Sequence, residues 1–120
     1  MKSPTAVIHL SHESARIVEF DATSMHAGQV EQHPHSTRQH GSGVRSEHEF
    51  FGSVCDRFLG FTKVLVTGGH TTLADFRHYV EKHRPLVAPH IAGYEVVDHL
   101  TDNQLVAAAR KRFDAFERLA

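Results

Sequence analysis

The residues with the most chemical potential in this 120-residue chain lie in one polar run, His33 to Ser46, reading His-Pro-His-Ser-Thr-Arg-Gln-His-Gly-Ser-Gly-Val-Arg-Ser. It has no acidic residue, Val44 is its sole aliphatic side chain, and it carries Arg38, Arg45, His33, His35 and His40. Guanidinium and imidazole groups unopposed by carboxylates attract phosphate, and each phosphate contact adds roughly one unit of salt dependence to binding. Gly41 and Gly43 lack a Cβ and allow close approach of a backbone to a ligand. Loops of this length in a compact chain are functional or disordered more often than they are spacers; a merely solvated loop is the plain alternative. The turn Gly68-Gly69-His70-Thr71 is a second phosphate candidate. It follows an apolar strand and precedes a helix, where unpaired N–H groups and the helix dipole favour anions. An ordinary tight turn is the alternative there.

Other chemistries are poorly supported. A two-metal nuclease needs carboxylates on neighbouring strands, but the first strand offers His9, and Asp98, at the end of the fifth, lacks a partner. Asp56, Asp75 and Asp102 fall on helix starts or polar faces. Zinc could be held by His33 and His35 with His40, His48, His9 or His12. Yet no ligand pair has finger-like spacing and no His-Glu-x-x-His helix occurs. Scattered surface histidines are the simpler reading. Cys55 lies on an apolar helical stripe, the usual place of a small core residue. No catalytic residue, metal or cofactor is expected.

The elements that must position these groups follow from periodicity. Thr5–Ser11 and Ala15–Phe20 read as strands joined closely enough for a hairpin, and Met25–Gln32 as a weaker third strand entering a long flexible loop over about residues 33–45. Ser46 with Glu49 has the pattern of a capping box. It opens a helix whose apolar face carries Phe50, Val54 and Phe58, with Phe51, Cys55 and Leu59 beside them and Gly60 as its stop. Lys63–Thr67 is a short strand buried on both faces. Thr72, with Asp75, caps a second helix burying Leu73, Phe76 and Val80, and Pro85 follows its end. Tyr94–Asp98 is the fifth strand. Thr101 with Gln104 caps a last helix, striped by Leu105, Val106, Ala109, Phe113 and Phe116, with Arg110-Lys111-Arg112 on its outer face. The order β-β-β-α-β-α-β-α predicts an α/β, ribonuclease H-like fold: a mixed five-stranded sheet with helices packed on its faces, the first strand central and the fourth parallel beside it.

Length and composition agree with one domain over residues 1–120. The chain is 40% hydrophobic and 22% charged, with a formal net charge of −1, so phosphate binding must come from a local patch rather than from overall charge. One cysteine excludes an internal disulfide and suits a reducing compartment. No run approaches the roughly 18 apolar residues of a membrane span. The expectation is a cytoplasmic protein without membrane contact. The 12 histidines make its charge pH-sensitive.

From His40 the sequence His-Gly-Ser-Gly-Val-Arg-Ser-Glu-His-Glu-Phe resembles the catalytic-loop region of the middle domain of archaeal and eukaryotic peptide-chain release factors, where His-Gly-x-Gly-Gly-Gln-Ser leads into a helix. Val64-Leu65-Val66-Thr67-Gly68-Gly69 before Phe76 looks like the same domain, and the resemblance runs from about Ala6 to Phe116. Asp98-His99-Leu100-Thr101-Asp102 is similar to bacterial stand-alone relatives described as translational machinery or host-attachment proteins. The fold implied is the ribonuclease H-like one derived above. The implied partner is the ribosome or a tRNA, met through Arg38, His40, Gly41, Gly43, Arg45, Gly68, Gly69 and His70. The family's Gly-Gly-Gln tripeptide, which assists hydrolysis of the peptidyl-tRNA ester, falls on Gly43, Val44 and Arg45. With the second glycine and the glutamine replaced, the resemblance implies a non-catalytic binding domain, as in the related Pelota proteins, which also lack the tripeptide. A protein-interaction or assembly module without a nucleic-acid role is the alternative, and a peptidyl-tRNA ester hydrolase the third reading. Homo-oligomer formation stays open.

Overall fold

A computed structural model of the chain describes residues 5–11, 14–21, 24–31 and 42–119, with the backbone alone for 30, 31, 42–46 and 115–119. In chain order it contains β1 (Thr5–Leu10), β2 (Ser14–Phe20), β3 (Met25–Glu31), α1 (Ser42–Phe58), β4 (Lys63–Gly68), α2 (His70–His83), a 3₁₀ segment (Pro85–His90), β5 (Ile91–Val96) and α3 (Asp102–Leu119).

The strands form one sheet in the order β3-β2-β1-β4-β5. β1 is antiparallel to β2 and parallel to β4, while β5 runs parallel to β4. The central position of β1 and β4 follows from their composition. Ala6, Val7, Ile8, Val64, Leu65 and Val66 are fully buried, and only a strand covered on both faces removes so continuous an apolar run from water. At the edge, β3 is exposed from Met25 to Gln29. Alternation along the strands divides the interior in two. Ala6, Ile8, Ile17, Val64 and Val66 pack with α1 and α2, whereas Val7, Val18, Phe20 and Leu65 pack with Leu105, Val106, Ala109 and Phe113 of α3. The expected α/β arrangement is therefore present, helices covering both faces.

Boundaries differ in instructive ways. α1 begins at Ser42, four residues before the expected cap at Ser46, so Gly43, Val44 and Arg45 belong to its first turn and not to the preceding loop. A helical glycine costs about 1 kcal/mol relative to alanine, a small debit against the buried stripe of Phe50, Phe51, Val54 and Phe58. Leu59, expected beside that stripe, lies past the helix end and is 63% exposed. α2 starts at His70 with Gly69 as its N-cap, and Thr72, expected as the cap, is a buried residue of its first turn. β5 starts at Ile91, paired with Val64, rather than at Tyr94, and it ends at Val96, so Asp98 is not on the strand. The cap of α3 is as expected. Thr101 N–H donates to Gln104 Oε1 at 2.8 Å, and Gln104 N–H donates to Thr101 Oγ1 at 3.1 Å. Replacing Thr101 by alanine is expected to cost about 1 kcal/mol, read as a lower urea midpoint with an unchanged slope.

Candidate functional site

Sheet register places several functional groups along one edge. Leu10 ends β1 beside Gly68, which ends β4, and Ser14, which opens β2, pairs with Glu31 at the end of β3. The parallel strands thus present their C-terminal ends there, the side on which open α/β sheets collect ligands.

Gly68 is required by geometry. Its φ is +155°, and a Cβ added to it would stand 2.6 Å from the Leu10 carbonyl oxygen. Its own carbonyl accepts from Val97 N–H at 3.0 Å, tying the exit of β5 to the same turn. Gly69 is different: it is exposed, has φ −74° and ψ 161°, and a Cβ there would meet nothing within 4 Å. It caps α2 through its carbonyl, which accepts from Leu73 N–H at 3.0 Å, and no side chain caps this helix. The amides of His70 and Thr71 have no intrahelical acceptor, and both residues are exposed. Of the sequence-derived site, then, Gly68 is a buried frame and Gly69 and His70 are the accessible part.

Gly43 and Arg45 occupy the first turn of α1, which contains no acidic residue. That turn carries the positive end of the helix dipole. Arg38, His40 and Gly41, with His33, His35 and His12 of the possible zinc set, lie outside the described residues.

The structure brings together a group that the sequence left scattered. On the α3 side of the same edge, a cleft of about 250 Å³ is lined by His9, Ser11, Ser14, Arg16, Gln29, His99, Leu100 and Leu105. His9 pairs across the sheet with Arg16, and Arg16 with Gln29. Thr67 fixes the histidine. Its hydroxyl donates to the Ile8 carbonyl at 2.9 Å, so toward His9 Nδ1, at 3.0 Å, it must act as acceptor. Nδ1 therefore carries the proton and Nε2 is the titrating nitrogen. Burial holds the His9 pKa below its ordinary value, and the nearby His99 and Arg16 lower it further. Arg16 also bonds Asp102 through Nη1 at 3.2 Å. A signal for this cleft was present in the alternation. His9 and Arg16 interrupt the face that Val7 and Val18 continue into the α3 core, and two polar residues facing each other on an apolar face mark a site.

The remaining candidates take structural roles. Cys55 is fully buried, and burial pushes its thiol up to about 12, which keeps it from acting as a nucleophile. Asp56 bonds Arg84 at 2.8 Å. His48 packs against Tyr79 and His83, with ring centroids 5.2 and 5.4 Å away. Among the described residues no three His, Cys, Asp or Glu side chains gather as a metal site, and no helix is long and apolar enough to cross a membrane. The basic triplet of α3 is not simply an outer face. Arg110 donates to the Asp21 carbonyl at 2.6 Å and lies over the Phe20 ring, and Arg112 bonds Glu95 at 3.5 Å.

No protein-family profile matches the chain, and no curated protein matches it in sequence. Solved structures match in fold. The Pelota protein of Archaeoglobus fulgidus superposes with a TM-score of 0.61 at 15% identity, over 93% of this chain and 32% of that one. The Pelota protein of Thermoplasma acidophilum gives 0.60 at 14% identity, over 87% and 30%. An archaeal translation termination factor, aRF1, gives 0.61 at 14% identity, over 97% and 39%. The chain thus spans between 30% and 39% of the length of these proteins. It has the mixed five-stranded α/β fold found within Pelota and the archaeal termination factor.

Proposed function

We propose that the chain is a non-catalytic, translation-associated module that binds RNA on the ribosome or on tRNA. The observation that carries this reading is the fold shared with Pelota and the archaeal termination factor over 93% and 97% of the chain. The basic, glycine-bearing segment enters from β3 and ends in the first turn of α1. Arg38, His40 and Arg45 supply the charge in this reading, and Gly41 and Gly43 the close backbone approach. Gly69 and His70 add the amide end of α2, with Gly68 holding that turn in place. The helical backbone of Gly43, Val44 and Arg45 removes any need for positive φ at Val44, so the loss of the second glycine is compatible with this role. The loss of the glutamine amide favours binding over ester hydrolysis.

Co-sedimentation with bacterial ribosomes tests the reading, at low and near-physiological salt, beside the Arg38→Ala/Arg45→Ala variant. The expected result is salt-sensitive pelleting that falls at least tenfold in the variant, with the slope of log affinity against log salt reduced by about two, one unit per lost phosphate contact. Alanine is well tolerated in a first helical turn, so the variant keeps the fold. Equal pelleting of both proteins would remove the segment from the account. No pelleting at either salt would favour a protein-interaction module.

A further inference from the structure

The cleft between the β1–β2 pair and the start of α3 is lined, among the described residues, by none of those the reading above invokes, and it stands independently of that reading. We propose that it is a binding site for a phosphate group, held by Arg16, His9 and His99. Three side chains that carry or can acquire positive charge line it, drawn from β1, β2 and the β5–α3 connection. Among the described residues, Asp102 is paired with this set, on Nη1 of Arg16. At about 250 Å³ it is smaller than the roughly 300–1,000 Å³ of sites that enclose a drug-sized molecule. That size suits a head group rather than a whole ligand.

The donor arrangement selects the anion. Asp102 takes Nη1 of Arg16, which leaves the Nε–Nη2 edge of the guanidinium to grip one pair of oxygens on an incoming anion. A tetrahedral oxyanion has further oxygens to offer separate donors approaching from different elements. His9 is oriented for such a contact. Thr67 engages Nδ1, so a proton taken up by the ring resides on Nε2 and makes it a charged donor.

The same geometry makes binding pH-linked, with a definite sign. Among the described residues, the groups facing His9 are Arg16 from β2, His99 before α3, Asp102 through Arg16, and the neutral Thr67 and Gln29. In the unliganded protein, burial, with the nearby His99 and Arg16, holds the His9 pKa below its ordinary 6.5. The unfolded chain therefore binds more protons than the folded one below that value, and stability falls as pH drops through the window from 6.5 toward the folded pKa. An anion in the cleft reverses the charge term. Its binding takes up a proton, strengthens as pH falls, and restores the lost stability.

The test is an NMR titration of the imidazole signals of His9 and His99 with sulfate, whose charge is constant across the range, and with inorganic phosphate, at about pH 7.5 and about pH 5.5. Both signals are expected to shift saturably, with affinity at least several-fold higher at the lower pH. Arg16→Gln should weaken binding tenfold or more. Asp102→Asn, which frees the guanidinium, should strengthen it several-fold. Opposite effects from the two partners of one ion pair separate a site from general salt effects and from misfolding. Parallel titrations with adenosine monophosphate and a short RNA oligonucleotide distinguish the sources: the former alone indicates a small phosphorylated ligand, the latter an RNA phosphate. Absence of a saturable shift at millimolar anion, or identical binding by all three proteins, would overturn the proposal. Either result leaves the ribosome experiment unaffected, since that experiment is read at Arg38 and Arg45.

Discussion

Replacing Phe76 by alanine is expected to destabilise the protein by about 3–5 kcal/mol, the range for truncating a buried aromatic. Phe76 is fully buried on the inner face of α2, edge-on to Phe51 at 5.2 Å and tilted against Phe58 at 5.9 Å. Those two rings belong to α1, so the contact locks both helices together over the sheet. Domains of this size are stable by about 5–15 kcal/mol, and the variant would retain a minor part of that. The urea midpoint should fall steeply with an unchanged slope. Phe76→Leu keeps most of the volume and should cost less than half as much. Equal losses in the two variants would mean that the aromatic packing itself, and not burial of an apolar group alone, holds α2. The effect reaches the candidate site as well, because α2 begins at Gly69 and His70, and a helix released from its core no longer aims its first amides.

How much of this was legible in the sequence depends on how local the cause was. β1 and β4 were readable because an unbroken apolar run has no other destination than a sheet covered on both faces. The α3 start was readable because Thr101 and Gln104 satisfy each other's backbone amides within three residues. The start of α1 was not. Ser46 and Glu49 have the composition of a capping box, yet the helix begins at Ser42, one turn earlier. β5 extends three residues earlier than its pattern suggests because Ile91 and Gly93 pair with Val64 and Leu65 of β4, with Ala92 at the register shift between them, which no local pattern announces. The candidate residues divide in the same way. The basic segment is contiguous and announces itself by composition. The cleft does not: His9, Arg16 and His99 are remote in sequence and meet through register and the β5–α3 connection. By residue type alone His9 is a zinc candidate and Arg16 and His99 carry no signal; the alternation of β1 and β2 holds the clue to the first two.

The adjacent glycines at the end of β4 should respond in opposite directions. Gly68→Ala places a Cβ 2.6 Å from the Leu10 carbonyl oxygen and forces a side chain onto φ +155°. The clashing atom is backbone in the central strand, so it cannot rotate away. The expected loss is about 2–4 kcal/mol, combining overpacking with backbone strain. Gly69→Ser meets open space at an ordinary φ of −74° and supplies the side-chain cap that α2 lacks. It should stabilise by a few tenths of a kcal/mol, serine ranking above glycine at that position. Thermal melts of the two variants check both signs. The pair also separates framing from contact. Gly68→Ala would reduce RNA binding only as far as it unfolds the protein. Gly69→Ser leaves the fold intact while its hydroxyl competes for the amides that an RNA phosphate would take. Reduced ribosome pelleting by a stabilised Gly69→Ser protein would assign the amide end of α2 to the interface. Undiminished pelleting would confine the interface to the segment between β3 and α1 and leave Gly68 and Gly69 as the turn that ends β4.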